Sequence, residues 1–252
     1  MAPNLSDTVW VLVGVLFMNA FHEGFHAYAA WWCGDRRPEI LKQRTILNPI
    51  PHIHPFLTIV LPIVTYLLFK VPLMGARVLV DAGKLGPRKM ALVGIAGPLG
   101  NLLFLAVVFF GTALAMNGGW IDDVDAAGST AFRILTALTL LTIFVAGTNL
   151  LPFPPADGSR VLAAFLPEKV RDVYLRLAPL GIVVFFLTVF WATGQLAVWF
   201  PDLRTWSPKW AYGFAKQLAD LQETLQEGVF TLSDGLRKMG IDLTALRSGR
   251  KG

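Results

Sequence analysis

Long apolar stretches separated by short polar loops dominate the chain. The apolar runs cover residues 8–33, 55–69, 90–116, 131–156 and 178–200. A helix needs about 20 residues to cross the roughly 30 Å hydrocarbon layer of a membrane, and four of the five runs are long enough. The run at 55–69 is shorter and contains Pro62, which interrupts a regular helix. The pattern predicts an all-α polytopic membrane protein with about four full transmembrane helices and one short re-entrant or interfacial segment.

The C-terminal tail has a different pattern, because its apolar residues recur at steps of three and four. They are Trp210, Phe214, Leu218, Leu221, Leu225, Val229, Leu232 and Leu236. This spacing predicts an amphipathic helix with one apolar face. A membrane surface and a helix-pairing interface both fit such a face, and pairing of two copies would make a homo-oligomer. We therefore divide the chain into a membrane domain at 1–200 and an amphipathic helical tail at 201–252.

The composition narrows the class of protein further. Residues of the AVILMFWYC group make up 54% of the chain and charged residues only 15%, whereas an ordinary globular domain has about 25% charged residues. The surroundings of this chain are therefore a lipid bilayer. The net charge is +5, but the basic residues are spread over the loops, so a nucleic acid is not expected as a partner.

Charge in the loops predicts how the chain is oriented. The loops at 34–54 and 70–89 are both basic, and the next loop is acidic. Basic loops face the cytoplasm, so the segment between them should enter the membrane and return on the same side. This favours the re-entrant interpretation of 55–69. A full span stays open as the alternative, since Lys70 could extend to the membrane surface.

The first apolar run contains an H-E-x-x-H motif. His22 and His26 are four residues apart, so on a helix they share one face and can hold a single zinc ion. Glu23 lies beside them, where it can reach a water on that metal. Ionisable side chains inside a membrane helix are costly and typical of functional sites. The alternative is that the two histidines only bond to neighbouring helices.

A catalytic zinc ion usually has three protein ligands and one open position for water. Asp157 is the best candidate for the third ligand, because it follows the proline-rich segment 149–156 at the end of an apolar run. Gly158 after it permits a tight turn. Alternatively, Asp157 only pairs with Arg160. Zn²⁺, two neutral histidines and the carboxylates of Glu23 and Asp157 sum to zero charge, which favours the ligand interpretation in a membrane.

Four motifs occur in order along the chain: His22–His26, Asn48–Pro55, Ala96–Asn101 and Asn149–Arg160. Together they resemble the site-2 protease family of intramembrane zinc metalloproteases, in the compact prokaryotic form without PDZ or CBS domains. The resemblance covers about residues 10–170. It implies that His22, His26 and Asp157 hold zinc and that Glu23 is the catalytic acid and base. It also implies a prokaryotic cell membrane as the location.

The second motif departs from the family pattern. His54 and Leu57 stand where similar members usually have aspartate and glycine. His54 could be a surface histidine, an auxiliary metal ligand or a pH-sensitive contact. A donor that stabilises the oxyanion is also required, and we assign this role to His52 or Asn149, which are both polar and close to proline-broken backbone.

These residues predict a zinc metalloendopeptidase that acts on a transmembrane protein or peptide. Zinc lowers the pKa of a bound water, and Glu23 takes the proton as that water attacks a peptide carbonyl. His26 lies near the cytoplasmic end of its helix, so the site should open towards the cytoplasm. A substrate helix must unwind before cleavage, and residues 39–47 could offer it a strand edge. The alternative is a non-catalytic scaffold that binds membrane helices or a metal transporter, neither of which needs Glu23.

Overall fold

The computed structural model describes residues 5–44, 47–61, 63–64, 78–121, 130–192 and 209–244. The helices within these ranges are α1 (Leu5–Cys33), α2 (Pro38–Gln43), α3 (Ala82–Asn117), α4 (Thr130–Asn149), α5 (Asp157–Ala163), α6 (Glu168–Leu175), α7 (Ala178–Ala192) and α8 (Lys209–Lys238). A 3₁₀ turn at Ile50–His52 and a π-helical turn at Pro55–Val60 precede α3. The described residues contain no strand, which confirms the predicted all-α class.

Two of the described helices, α3 and α4, are long and apolar enough to cross a membrane. Helix α1 has 29 residues but carries the polar H-E-x-x-H motif. Helix α7 is described to Ala192, and the rest of that predicted run lies outside the described residues. The acidic loop at 122–125 also lies outside them. A membrane protein is therefore supported, and the number of four spans stays a prediction.

Helices α1, α3 and α4 pack together around an apolar core. Its buried members are Val15, Met18, Phe21, Phe104 and Leu138. The rings of Phe21 and Phe104 meet edge to face with their centroids 5.5 Å apart. A Cβ atom on Gly100 of α3 would lie only 2.6 Å from the main-chain oxygen of Phe21. The absence of a side chain at Gly100 thus lets α3 approach α1 closely, as small residues do in membrane helix pairs.

Polar contacts join the end of α1 to the start of α3. The buried Asp35 carboxylate accepts two hydrogen bonds from the Arg37 guanidinium, at 2.8 and 2.7 Å, and one from the Asp81 amide at 3.0 Å. Hydrogen bonding from Arg37 holds the pKa of Asp35 at about 2, against desolvation, which would raise it. Lys89 donates to the Cys33 carbonyl at 2.8 Å. Residues 36–80 therefore leave and rejoin the same end of the bundle.

The contact between Asp35 and Asp81 limits the path of the short apolar run at 55–69. A segment that starts and ends on one side crosses the bundle an even number of times or not at all, which favours the re-entrant interpretation over a single full span. Pro55–Val60 forms a helical turn. Residue 62 and residues 65–77 lie outside the described residues.

The expected strand edge at 39–47 is wrong where the chain is described. Residues 39–43 belong to helix α2, which begins with Pro38 in its first turn, a position where proline is well tolerated. Ile40 is fully buried and packs in a cluster with Ala27 and Val93. Because Ile40 packs against α1 and α3, this segment is favoured as a helix that lies across the end of the bundle and not as an exposed strand. Residues 45 and 46 lie outside the described residues.

The amphipathic tail forms helix α8 and packs on its own chain. Val229 is fully buried in a cluster with Ala113, Met116 and Phe132. Arg237 donates to the Met116 carbonyl at 3.1 Å, at the C-terminal end of α3, and Asn117 bonds to the main chain of residues 241 and 243. The described part of the apolar face is thus an interface within the chain. Pairing of two copies through the tail stays a prediction.

Candidate metal centre

Three side chains that are distant in the sequence converge beside α3. His22 and His26 come from α1, and Asp157 is the first residue of α5. The Nε2 atoms of the two histidines are 3.1 Å apart, and each is 3.1 Å from Oδ2 of Asp157. All three side chains are buried. Within the described part of the chain, this is the group of His, Cys, Asp and Glu side chains that is close enough to hold a metal ion.

The spacing of these three atoms suits a zinc ion. Zinc binds nitrogen and oxygen at about 2.0 to 2.1 Å, which puts neighbouring ligand atoms of a tetrahedron about 3.3 Å apart. The observed separations of 3.1 Å are within a few tenths of an ångström of that value. Three atoms with lone pairs at such short mutual distances repel each other unless protons or a cation lie between them. Two imidazoles and one carboxylate are also a ligand set that zinc prefers.

A main-chain contact sets the direction of one imidazole. Nδ1 of His26 lies 2.6 Å from the carbonyl oxygen of Val93 on α3. A neutral ring that donates from Nδ1 keeps the Nε2 lone pair free for a metal, as is usual for histidine ligands. Val93 could not be identified from the sequence, because a main-chain carbonyl can accept a hydrogen bond whatever the residue type.

Two glycines on α3 make room for the cluster. A Cβ atom on Gly97 would lie 2.7 Å from Cε1 of His22 and closer still to the ring of His26. A Cβ atom on Gly94 would lie 2.7 Å from the main-chain oxygen of Asp157. Both distances are far below van der Waals contact, so α1 and α5 can meet at α3 only where these side chains are missing. The motif Ala96–Asn101 included Gly97, but its role was not predicted.

The chain direction after α4 brings Asp157 to the histidines. Helix α4 ends at Asn149, and the proline-rich segment that follows turns the chain into α5. A Cβ atom on Gly158 would lie 2.6 Å from the main-chain oxygen of Leu151, so glycine is needed where the turn folds back on itself. Oδ1 of Asp157 lies 3.2 Å from Nη1 of Arg160.

The other predicted site residues lie on three different elements. Glu23 is buried beside His22 on α1. His52 is buried on the 3₁₀ turn that contacts α1 and α2. The Nδ2 group of Asn149 donates to the Val145 carbonyl of its own helix at 3.0 Å, which leaves one amide hydrogen available. Neither His52 nor Asn149 belongs to the three-residue group, and the catalytic roles of all three residues stay predictions.

His54 is exposed and caps the π-helical turn. Its Nδ1 atom accepts a hydrogen bond from the Leu57 amide at 3.3 Å, and its own amide donates to the Thr58 hydroxyl at 3.0 Å. Of the three alternatives for His54, the surface histidine fits this arrangement. The aspartate expected at this position is itself a strong N-cap, so the substitution keeps a capping residue there.

Comparison with known proteins gives several relatives over most of the chain. "Putative zinc metalloprotease YwhC" of Bacillus subtilis is 32% identical over 200 residues, which are 77% of this chain and 86% of that protein. "Putative zinc metalloprotease Rip2" of Mycobacterium tuberculosis is 34% identical over 201 residues, which are 79% of this chain and 72% of that protein. Its counterpart in Mycolicibacterium smegmatis is 29% identical over 198 residues. No family model and no solved structure matches the chain.

Proposed function

Because the chain belongs to the site-2 protease family of zinc metalloproteases, we propose that it hydrolyses peptide bonds within or near the transmembrane helices of membrane-protein substrates. The observation that carries this proposal is the convergence of His22, His26 and Asp157 on one point. These three residues would hold the zinc ion, and Glu23 would be the general base.

Each residue of the site has a distinct task in the proposed reaction. Zinc, when bound, polarises a carbonyl oxygen and makes a water molecule more acidic. Glu23 takes a proton from the attacking water and returns it to the departing amine. His26 is kept in the tautomer that exposes Nε2 by its contact with Val93. His52 or the second amide hydrogen of Asn149 would stabilise the oxyanion.

We also propose that the site opens towards the cytoplasm of a prokaryotic cell, with α1, α3, α4 and α7 as the four spans. His26 precedes the end of α1 at Cys33 by seven residues, or about 10 Å along the helix axis. The loop after α1 is basic, and basic loops face the cytoplasm. Substrates should carry glycine, proline or asparagine in the cytoplasmic half of their helix, because a regular helix shields its peptide bonds.

A non-catalytic scaffold or a metal transporter is the competing function. Both would bind a metal or a helix without cutting a peptide bond. The presence of Glu23 next to two metal-binding side chains favours the protease, since a general base has no task in the other two.

The test is to replace Glu23 by glutamine in the full chain purified in detergent. We expect Glu23→Gln to keep about one zinc ion per chain and to lower cleavage of a helical substrate at least about 100-fold, the usual contribution of a general base. Glu39→Gln is a matched control, because Glu39 is exposed on α2 and should leave both quantities unchanged. Cleavage by Glu23→Gln at the parent rate would exclude the mechanism.

The metal ligands need a separate measurement. His22→Ala and Asp157→Ala should each lose zinc, as measured by elemental analysis of the purified protein, because two remaining ligands bind zinc much more weakly than three. Parent zinc content in both variants would place the metal elsewhere in the chain.

A further inference from the structure

The two oxygens of Asp157 have different partners. Oδ2 lies 3.1 Å from both histidine Nε2 atoms. Oδ1 lies 3.2 Å from Nη1 of Arg160, one turn further along α5. The Asp157 side chain is 7% exposed, whereas that of Arg160 is 31% exposed. From the sequence, Arg160 and a metal were alternative partners of Asp157. The geometry allows both, with the metal at Oδ2 and Arg160 at Oδ1.

This division matters because a carboxylate can bind a metal through one oxygen or both. Two histidines and one carboxylate oxygen leave a fourth position of zinc for water, which a catalytic site requires. A second carboxylate oxygen on the metal would crowd that water and raise the coordination number from four to five. A cationic group paired with the second oxygen attracts it away from the metal, because opposite charges at this distance attract each other strongly in a site that is largely shielded from water.

Packing holds Arg160 in place for this contact. A Cβ atom on Gly94 would lie 3.2 Å from Cβ and 3.6 Å from Cδ of Arg160. The aliphatic part of the arginine therefore runs along α3 where Gly94 leaves room, and its guanidinium reaches back to Asp157. Without that guanidinium, Oδ1 would be a buried charged oxygen without this partner, which is unfavourable.

We propose that Arg160 is a positioning residue that keeps Asp157 bound to zinc through one oxygen and so keeps the water position open. This inference rests on the proposed function, because it requires zinc at the three-residue group. The competing explanation is an ordinary ion pair three residues apart on a helix, which stabilises a helix by only about 0.2 to 0.5 kcal/mol. Such a pair would affect stability but not the coordination of the metal.

The test compares Arg160→Met and Arg160→Lys in the full chain in detergent. The methionine variant keeps an aliphatic stem and loses the positive charge, while the lysine variant keeps a positive charge. Co²⁺ added to metal-free protein reports coordination, because its visible absorption weakens when the coordination number rises from four to five. We expect Arg160→Met to lose absorption intensity and to bind Zn²⁺ about 10- to 100-fold more weakly. Arg160→Lys should recover most of both, and the control Arg171→Met on α6 should match the parent.

The outcomes separate this inference from the proposed function. A parent chain that binds neither Co²⁺ nor Zn²⁺ refutes the metal site itself. A parent that binds both, together with an Arg160→Met variant of unchanged spectrum and affinity, overturns the role of Arg160. Zinc K-edge X-ray absorption of the unmodified chain decides the matter if the methionine variant does not fold. Four nitrogen and oxygen ligands are expected, and five with both Asp157 oxygens bound would overturn the proposal.

Discussion

Replacing Gly97 by alanine is the smallest change that should remove the metal while keeping every ligand. The added Cβ atom would lie 2.7 Å from Cε1 of His22 and closer to the ring of His26. Carbon atoms in contact are normally about 3.5 to 4.0 Å apart. The two rings or helix α3 must therefore move by about 1 Å to accept a single methyl group.

That displacement is large on the scale of a metal site. The three candidate ligand atoms are 3.1 Å from each other, and zinc distances in a real site vary by only about 0.2 Å around their usual values. A shift of about 1 Å in one imidazole removes it from coordination. Even changes to residues that only support a ligand weaken binding 10- to 100-fold, so we expect Gly97→Ala to lose at least about 100-fold in zinc affinity.

The assay is competition for zinc between the purified chain and a fluorescent chelator in detergent. Gly111→Ala is the matched control, because Gly111 lies on the same helix and its added Cβ atom would meet nothing within 4 Å. Circular dichroism checks that both variants keep their helical content. If Gly97→Ala binds zinc as tightly as Gly111→Ala, the close packing of α3 against the histidines is refuted.

Two further predictions concern the ends of the bundle. The carboxylate of Asp35, with a pKa of about 2 instead of 3.8, should contribute at most about 2 kcal/mol to the free energy of unfolding, since solvent partly screens its Arg37 partner. This contribution is present above about pH 4 and is lost as the pH falls towards 2. The difference in unfolding temperature between the parent and Asp35→Asn should therefore shrink over that range. A difference that does not depend on pH would contradict the stabilising role of the Asp35 carboxylate. Val229→Asp should lower the free energy of unfolding by about 3 kcal/mol, because it buries an unpaired charge between α8 and α3. It should also make the tail accessible to protease, whereas the exposed control Thr231→Asp should do neither. Equal protection of the two variants would show that α8 does not dock there.

The membrane class, the zinc ion and the candidate ligands could be predicted from the sequence, because their signals are local. Histidines at 22 and 26 share a helix face whatever the rest of the chain does. Prolines after Asn149 end a helix because proline lacks an amide hydrogen and its ring clashes with the preceding turn. Asp157 follows these prolines, which made it the candidate for the third ligand. Local signals were less informative for residues 39–43, for which a strand edge was predicted. These residues form a helix, in which Ile40 is buried against other helices.

The tertiary structure alone decided how these residues meet. The 3.1 Å spacing around His22, His26 and Asp157 depends on the space left at Gly97, and the two partners of the Asp157 carboxylate depend on where Arg160 runs. The apolar face of the tail was evident from its spacing, but its contact with the chain's own helices was not. Periodicity shows which face of a helix is apolar, whereas the partner of that face follows from side-chain volumes and backbone contacts summed over segments distant in the sequence.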